Sequence, residues 1–381
     1  MLNIAVIGCG YWGPNLIRNF NSLSGCSIKI ACDLDESRLA HMKSLYPDID
    51  ITTEFERVIS NAEIDAVVIA TPVRFHYEMA KNSLQVGKHT FIEKPMASSA
   101  AECNELIEIA ESKNLTIIVG HTFIYSPPVR KIKEIINRNM LGEIQYISAR
   151  RLNLGLFQTD INVSWDLAPH DISIILYVMG ISPVSVNCQG KAHVDPNIED
   201  VTSMTLNFDN GGFSTIQSSW LDPNKVREMT YVGSRRMLVY NDLEPAEKIK
   251  IYDKRVETPP YYDTFAEFHY SYHYGDMYSP YLKQYEPLKK ECQDFLDCIK
   301  TGEKPVSSGY EGLKVVEILE AASESLKREG AKVEISEMPG NEQLRSKKAF
   351  NSKPPSLFDN WTRMNTDYQD MKNKDLTERI I

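Results

Sequence analysis

Three polar side chains could do chemistry together: Lys94 in FIEKPMA, and Asp166 and His170, four residues apart in WDLAPHD. Oxidising an alcohol to a ketone requires removal of the hydroxyl proton as hydride leaves the carbon, and a histidine titrates close enough to neutrality to accept that proton. His170 is the candidate base, with Asp166 to orient its ring and the Lys94 ammonium to lower the energy of a developing alkoxide. Pro169 suits the first turn of a helix DISIILYVMG, which would put His170 at the positive helix end and favour the neutral imidazole. Taken singly, each has an ordinary reading as a solvated lysine or a capping or packing histidine. A metal centre is the rival use of such residues. Asp166, His170 and Asp171 form one possible ligand group and His269 and His273 another, but neither has a clear third partner, so no metal is expected.

A second constellation lies at the start, in VIGCGYWGPN. Gly8, Gly10 and Gly13 make a G-x-G-x-x-G that follows a strand and opens a helix, with Pro14 at a first-turn position that needs no N–H. In such a turn the first glycine permits the bend, the second admits a pyrophosphate, and the third lets helix and strand pack closely. Asp33, twenty residues after Gly13, ends the next strand, where a carboxylate accepts hydrogen bonds from a ribose hydroxyl. A 2′-phosphate would meet it as a like charge, and Leu34 stands where an arginine could have accommodated that phosphate. NAD is therefore expected in preference to NADP. Tyr11 and Trp12 within the turn, Thr71, Pro72 and His76 after a later strand, and Glu93 beside Lys94 complete the candidate cofactor contacts.

These residues need a scaffold that brings them together. From NIAVIG onward, short apolar runs alternate with amphipathic helices as far as LTIIVGH, the pattern of a doubly wound parallel sheet covered on both faces. FIEKPMA falls at the end of one of its strands, and ligands bind outside those carboxyl ends. After Pro127 and Pro128 the grammar changes to strands joined by short turns such as DNGG, predicting an α+β region with a large, mostly antiparallel, open-faced sheet. The expected organisation is a Rossmann-type cofactor domain over residues 1–120 and a substrate-binding and oligomerisation domain over 121–337, whose last helices return to the first domain. A polar, Pro-containing extension over 338–381 is expected to be disordered or to wrap a partner subunit.

GCGYWG at 8–13, IATPVRFH at 69–76, EKP at 93–95 and WDLAPHD at 165–171, in that order, resemble the Gfo/Idh/MocA family of oxidoreductases over roughly residues 1–335. The resemblance implies that Lys94 touches both the nicotinamide region and the substrate, allows a cis Lys94–Pro95 peptide, and makes Asp166 and His170 the rest of the catalytic set. Where typical members read an arginine and a phenylalanine, this chain has HTFIYSPPVR, which leaves open which of His121, Tyr125 and Arg130 reaches the substrate. Tyr125, Arg151, Asn153 and Asn162, with Lys94 and His170, are the candidate sugar contacts. The resemblance further implies hydride transfer from a sugar ring carbon, C3 favoured, on a nucleotide-linked sugar. A free-sugar or inositol dehydrogenase, a glycosidase that oxidises its sugar transiently, and a non-catalytic NAD-binding regulator are the alternatives.

Composition removes other classes. The formal charge of −10 supplies no basic face for nucleic acid, and no apolar run reaches the roughly 20 residues of a membrane helix. Seven cysteines without a C-x-x-C pair predict reduced thiols rather than disulfides or structural zinc. With a strand starting near residue 3 there is no room for a leader ahead of it, and a cytoplasmic protein is expected. A broad sheet with one uncovered apolar face predicts a homodimer or homotetramer formed through that sheet.

Overall fold

A computed structural model describes residues 1–257 and 270–335, so His269 and the expected extension lie outside the described residues. The chain opens with β1 (Leu2–Ile7), α1 (Gly13–Asn21), β2 (Cys26–Cys32), α2 (Glu36–Leu45), β3 (Asp50–Thr52), α3 (Phe55–Ile59), β4 (Ala66–Ile69), α4 (His76–Gln85), β5 (His89–Ile92), α5 (Ala100–Ser112) and β6 (Ile117–Val119). Its six strands are parallel in the order β3-β2-β1-β4-β5-β6, because all but the edge strand β3 are largely apolar and crossover helices cover both faces. The order turns at β1, which has β2 on one side and β4 on the other, and opens the crevice where such sheets bind ligands.

There follow α6 (Pro127–Asn137), β7 (Ile144–Leu154), α7 (Val163–Met179), β8 (Ser185–Lys191), β9 (Val201–Asn207), β10 (Phe213–Ser219), β11 (Leu221–Gly233), β12 (Met237–Asn241), β13 (Ile249–Glu257), β14 (Ser271–Tyr278), α8 (Pro287–Thr301), α9 (Gly309–Lys327) and β15 (Val333–Glu334). The second sheet runs β14-β13-β12-β11-β7-β10-β9-β8-β15, and among the described residues every pairing is antiparallel except β10 with β7. One face buries Ile147, Met204, Ile216 and Leu238 beneath Ile132 of α6, Ile172 of α7 and Leu319 of α9.

The opposite face was expected to be apolar, and it is mixed, with Val232 of β11 and Met237 and Val239 of β12 sharing it with polar side chains. Alternation in β7, β10 and β11 turns Ser148, Arg150, Thr215, Gln217 and Thr230 outward, with Arg150 paired to Glu228 at 2.7 Å and one stacked aromatic pair, Tyr146 on Phe213. Strand side chains alternate between faces, so an antiparallel sheet with one wet face carries polar residues at every second position.

The two late helices tie the sheets together. α8 packs with α1 on one face of the first sheet, where Phe20, Phe91 and Phe295 meet edge to face with centroids 5.9–6.2 Å apart. α9 covers the other face with Val316, approaches β6 closely at Gly312, and at its far end accepts the Cys188 N–H of β8 on Ser325 Oγ at 2.8 Å. All seven cysteines are buried and unpaired. Among the described residues no helix is long and apolar enough to cross a membrane. Phe295 is fully buried at the centre of the aromatic trio. Phe295→Ala should lower stability by about 3–5 kcal/mol, read as a fall in the urea midpoint.

Candidate active site

At the nucleotide end, the turn between β1 and α1 makes contacts at Gly8 and Gly13 that only glycine tolerates. Gly8 has φ +91°, and a Cβ there would come within 2.6 Å of the Ala70 carbonyl oxygen. A Cβ on Gly13 would overlap the Gly8 carbonyl, so its absence is what seats α1 on β1. A Cβ on Gly10 would meet only the Arg38 guanidinium, at 3.6 Å, leaving the backbone there open to approach. α1 carries no side-chain cap, so its first-turn N–H groups are available to an anion. Asp33 accepts from Cys9 N at 2.6 Å and from Asp35 N at 2.9 Å, which fixes its carboxylate beside the turn. These features fit a dinucleotide.

Tyr11 is largely exposed and Trp12 partly so, edge to face at the mouth of the turn. His76 is buried, with Nδ1 2.8 Å from the Pro95 carbonyl and Nε2 2.8 Å from the Thr71 carbonyl. It joins the loop after β4, where Pro72 precedes a short 3₁₀ turn, to the loop after β5. The Lys94–Pro95 peptide in that second loop is cis.

Lys94 reaches across to the second sheet. Its Nζ donates to the Asp166 carbonyl at 2.7 Å and lies 3.4 Å from Asp166 Oδ1, both on α7. His170 follows one turn later on the same helix, so the three candidates converge. Their wiring differs from the expected one, because Asp166 Oδ2 accepts from Trp220 Nε1 at 3.1 Å and His170 Nδ1 is buried without a partner among protein groups. Asp166 thus holds Lys94 and Trp220 rather than the imidazole. α7 also begins earlier than expected, at Val163, which puts Pro169 and His170 inside the helix rather than at its positive end.

The neutral imidazole has another cause. Burial first, then the cations Lys94, Arg151 and Arg227 with His121 among them, push the His170 pKa well below its usual value. His121, at the end of β6, is buried and pushed down to about 3 by burial and by Lys94. Carboxyls nearby move the other way. Burial raises Glu93 to about 7 against the opposing pull of Lys94, and burial drives Glu291 of α8 well above the usual carboxylate range.

Several candidates sit elsewhere. Tyr125 is buried against α8, its hydroxyl donating to Asp294 at 2.7 Å, and does not reach the cleft. Asn162 is the N-cap of α7, accepting from Trp165 N at 3.2 Å and donating to Glu199 at 2.9 Å. Arg151 is buried and forks onto Asp171 at 2.9 and 2.8 Å, anchoring the turn of α7 that carries His170. Asn153, half-buried farther along β7, lies beside Gly155, which touches Trp220. Glu93 turns inward, its Oε2 accepting from Lys94 N at 3.3 Å.

Sequence reasoning missed Trp220, Phe123, Arg227 and Arg38. Phe123 bridges the Arg151 guanidinium, 4.8 Å from its ring centroid, and His170, 5.0 Å centroid to centroid. Arg38 lies 3.7 Å from Asp33 and was legible only as the fifth residue after it. His273 pairs with Asp253 at 3.2 Å, and among the described residues no group of three His, Cys, Asp or Glu side chains is placed to hold a metal ion.

Residues 2–121 match the family described as oxidoreductase, NAD-binding Rossmann fold, and residues 129–239 match the Gfo/Idh/MocA C-terminal domain. An uncharacterized oxidoreductase of Bacillus subtilis is 25% identical, covering 84% of this chain and 93% of its own length. UDP-N-acetylglucosamine 3-dehydrogenase of Acidithiobacillus ferrooxidans is 28% identical over 83% of this chain and 94% of its own. Its solved structure superposes with a TM-score of 0.71 at 23% identity, covering 86% of this chain and 98% of that one. Myo-inositol 2-dehydrogenase of Thermotoga maritima is 23% identical over 89% of this chain and all of its own length.

The opposed shifts give stability two pH limbs. Buried neutral His76, His121 and His170 contribute stability that is present above the unfolded histidine value and lost as pH falls below about 6.5. Protonated Glu291 contributes stability that is present at acid pH and lost as pH rises above about 4.3, where the unfolded carboxyl ionises. Relative to Glu291→Gln, the unmodified protein should lose about 1.4 kcal/mol per pH unit above that point, measured by denaturant unfolding across pH.

Proposed function

Because the chain belongs to the Gfo/Idh/MocA family of oxidoreductases, we propose that it is an NAD-dependent sugar dehydrogenase that oxidises a ring hydroxyl, C3 favoured, of a nucleotide-linked sugar. The observation that carries this reading is the bond from Lys94, at the carboxyl end of a parallel strand, to Asp166, one turn ahead of His170 on the helix covering the second sheet. Bound in the crevice, the nicotinamide supplies the hydride acceptor. The protein's own groups do the rest. His170, held neutral by burial and adjacent cations, accepts the hydroxyl proton. Lys94, fixed by Asp166, stabilises the alkoxide oxygen as charge develops on it. Asn153 and Trp220 flank the same end of the second sheet and orient the sugar.

Arg227 favours a nucleotide-linked substrate over a free one. It pairs in register with Arg151, belongs to the cations acting on His170, and keeps about a third of its side chain exposed, 3.7 Å from Asp242. A guanidinium so placed suits a phosphate oxygen. NAD is favoured over NADP because Asp33 is fixed beside the turn, with Arg38 already drawn to it. The similarity to a myo-inositol dehydrogenase over its whole length supports a free cyclitol as the second reading. The protein acts as a dimer or tetramer assembled through the outer face of the second sheet, where the Tyr146–Phe213 stack supplies an aromatic contact.

Three outcomes test these readings. With NAD and the right nucleotide sugar, nicotinamide absorbance should rise, and Lys94→Ala or His170→Ala should cut the rate at least about 100-fold while calorimetry shows NAD still bound. Arg227→Ala should raise KM about 10- to 100-fold for a nucleotide-linked sugar and leave a free sugar unaffected; equal effects on both would favour the cyclitol. Light scattering that returned the mass of a single chain would remove the assembly.

A further inference from the structure

The segment leaving β6, residues 120–123, touches three buried titratable side chains. The Glu93 carboxylate lies against Gly120, where an added Cβ would come within 2.9 Å of Oε2. Thr122 Oγ1 donates to Glu291 Oε2 at 2.7 Å. The Phe123 ring meets the His170 ring edge-on. His121 is in the middle of this segment, and neither of its ring nitrogens has a partner among protein groups. His170 Nδ1, Glu93 Oε1 and Glu291 Oε1 are sealed from the surface in the same state. Buried polar atoms in native proteins are paired with protein or with ordered water, and a polar site lined by several unmet groups is where internal water settles. These five atoms belong to four side chains gathered round one short segment, and all of the four residues can carry or pass a proton.

We propose that His121 and the carboxyl pair Glu93–Glu291 form, with bridging internal water, a proton relay that carries the substrate's hydroxyl proton inward from His170. The inference rests on the dehydrogenase reading. Nδ1 is the sealed nitrogen of His170, which leaves Nε2 to meet the substrate. With a nicotinamide bound to take the hydride, the alcohol would give its hydroxyl proton to Nε2 as the hydride leaves its carbon. The imidazolium then releases its Nδ1 proton to the bridging water and becomes neutral again. His121 takes a proton on one nitrogen as it gives one up from the other, so it too ends neutral. The proton comes to rest on whichever of Glu93 and Glu291 is ionised, converting that carboxylate to the acid.

Electrostatics sets the direction of travel. The cations around His170 are Lys94 from the loop after β5, Arg151 from β7 and Arg227 from β11, and together they disfavour a lasting imidazolium. Of the nearby acids, Asp166 is committed to Lys94 and Trp220, Asp171 to Arg151, and Asp294 to Tyr125. Glu93 acts on Glu291 as a like charge, and buried carboxyls that interact resist ionising together; with burial raising Glu93 to about 7 and Glu291 well above the usual carboxylate range, the pair retains a proton near neutral pH and Glu93 can take up another.

Two measurements on the full chain test the relay. The first is infrared spectroscopy near neutral pH, which reads the C=O stretch of a protonated carboxylic acid without any substrate. The band is expected in the unmodified protein and should be lost or displaced in Glu291→Gln. The second is turnover in mixtures of H₂O and D₂O. A curved dependence on deuterium fraction, the mark of several protons moving together, is expected to become linear in His121→Phe, with kcat down about 10- to 100-fold and NAD affinity unchanged. His121→Gln serves as the second variant should the phenylalanine not fold. A missing acid band, or a His121 variant with the original kcat and curvature, would overturn the relay. Turnover with both carboxyls ionised removes the relay and leaves the dehydrogenase standing. An acid band lost in Glu291→Gln, in a protein that oxidises no sugar or cyclitol, keeps the proton-sharing pair and removes the dehydrogenase.

Discussion

The hydrogen bonds from Lys94 Nζ to the backbone and side chain of Asp166 span the distance between two sheets that are otherwise built by different rules. Lys94 is delivered by a parallel strand whose position follows from β-α alternation. Asp166 and His170 are delivered by a helix laid across a mostly antiparallel sheet. A charged bridge with little exposed surface must have its geometry enforced by its surroundings, since neither partner can relax into water without losing the other. Here the enforcement is covalent continuity through α9, which lies against β6 of the first sheet and β8 of the second. The Arg151–Asp171 fork supports it by fixing the next turn of α7.

Around that bridge, low dielectric separates the ionisable groups into two kinds. Imidazoles surrounded by cations are held neutral, while carboxyls on the interior side are held protonated to unusually high pH. Burial disfavours charge of either sign, which is why the same cause moves histidines down and glutamates up. The result is a strip of groups that carry little charge near neutrality, with Glu93 poised between its two forms, and that differ in their appetite for a proton.

Much of the fold was legible because its signals are local. The parallel sheet was announced by apolar runs such as AVVI and by the glycine turn, and the change of grammar after Pro127 marked the second sheet. Elements without a strong apolar period were not: three-residue β3, five-residue α3 and β14, whose SYHYGDMY carries tyrosines on both faces. Pro169 misled, because proline favours a first turn yet is tolerated inside α7. Motif spacing pointed to Lys94, Asp166 and His170, which the fold brings together, but not to their partners. Nothing local in WDLAPHD tells that Asp166 turns to Trp220 instead of His170, or that Tyr125 points into the contact with α8. Those outcomes depend on side chains brought in from far along the chain.

The pleat of β7 has a consequence of its own. Arg151 points inward to Asp171 of α7 and Asn153 follows it on the same face, whereas Ser148 and Arg150 point the other way. Changes at odd positions of this single strand therefore act on the side facing α7, and changes at even positions on the outer face, with little crosstalk.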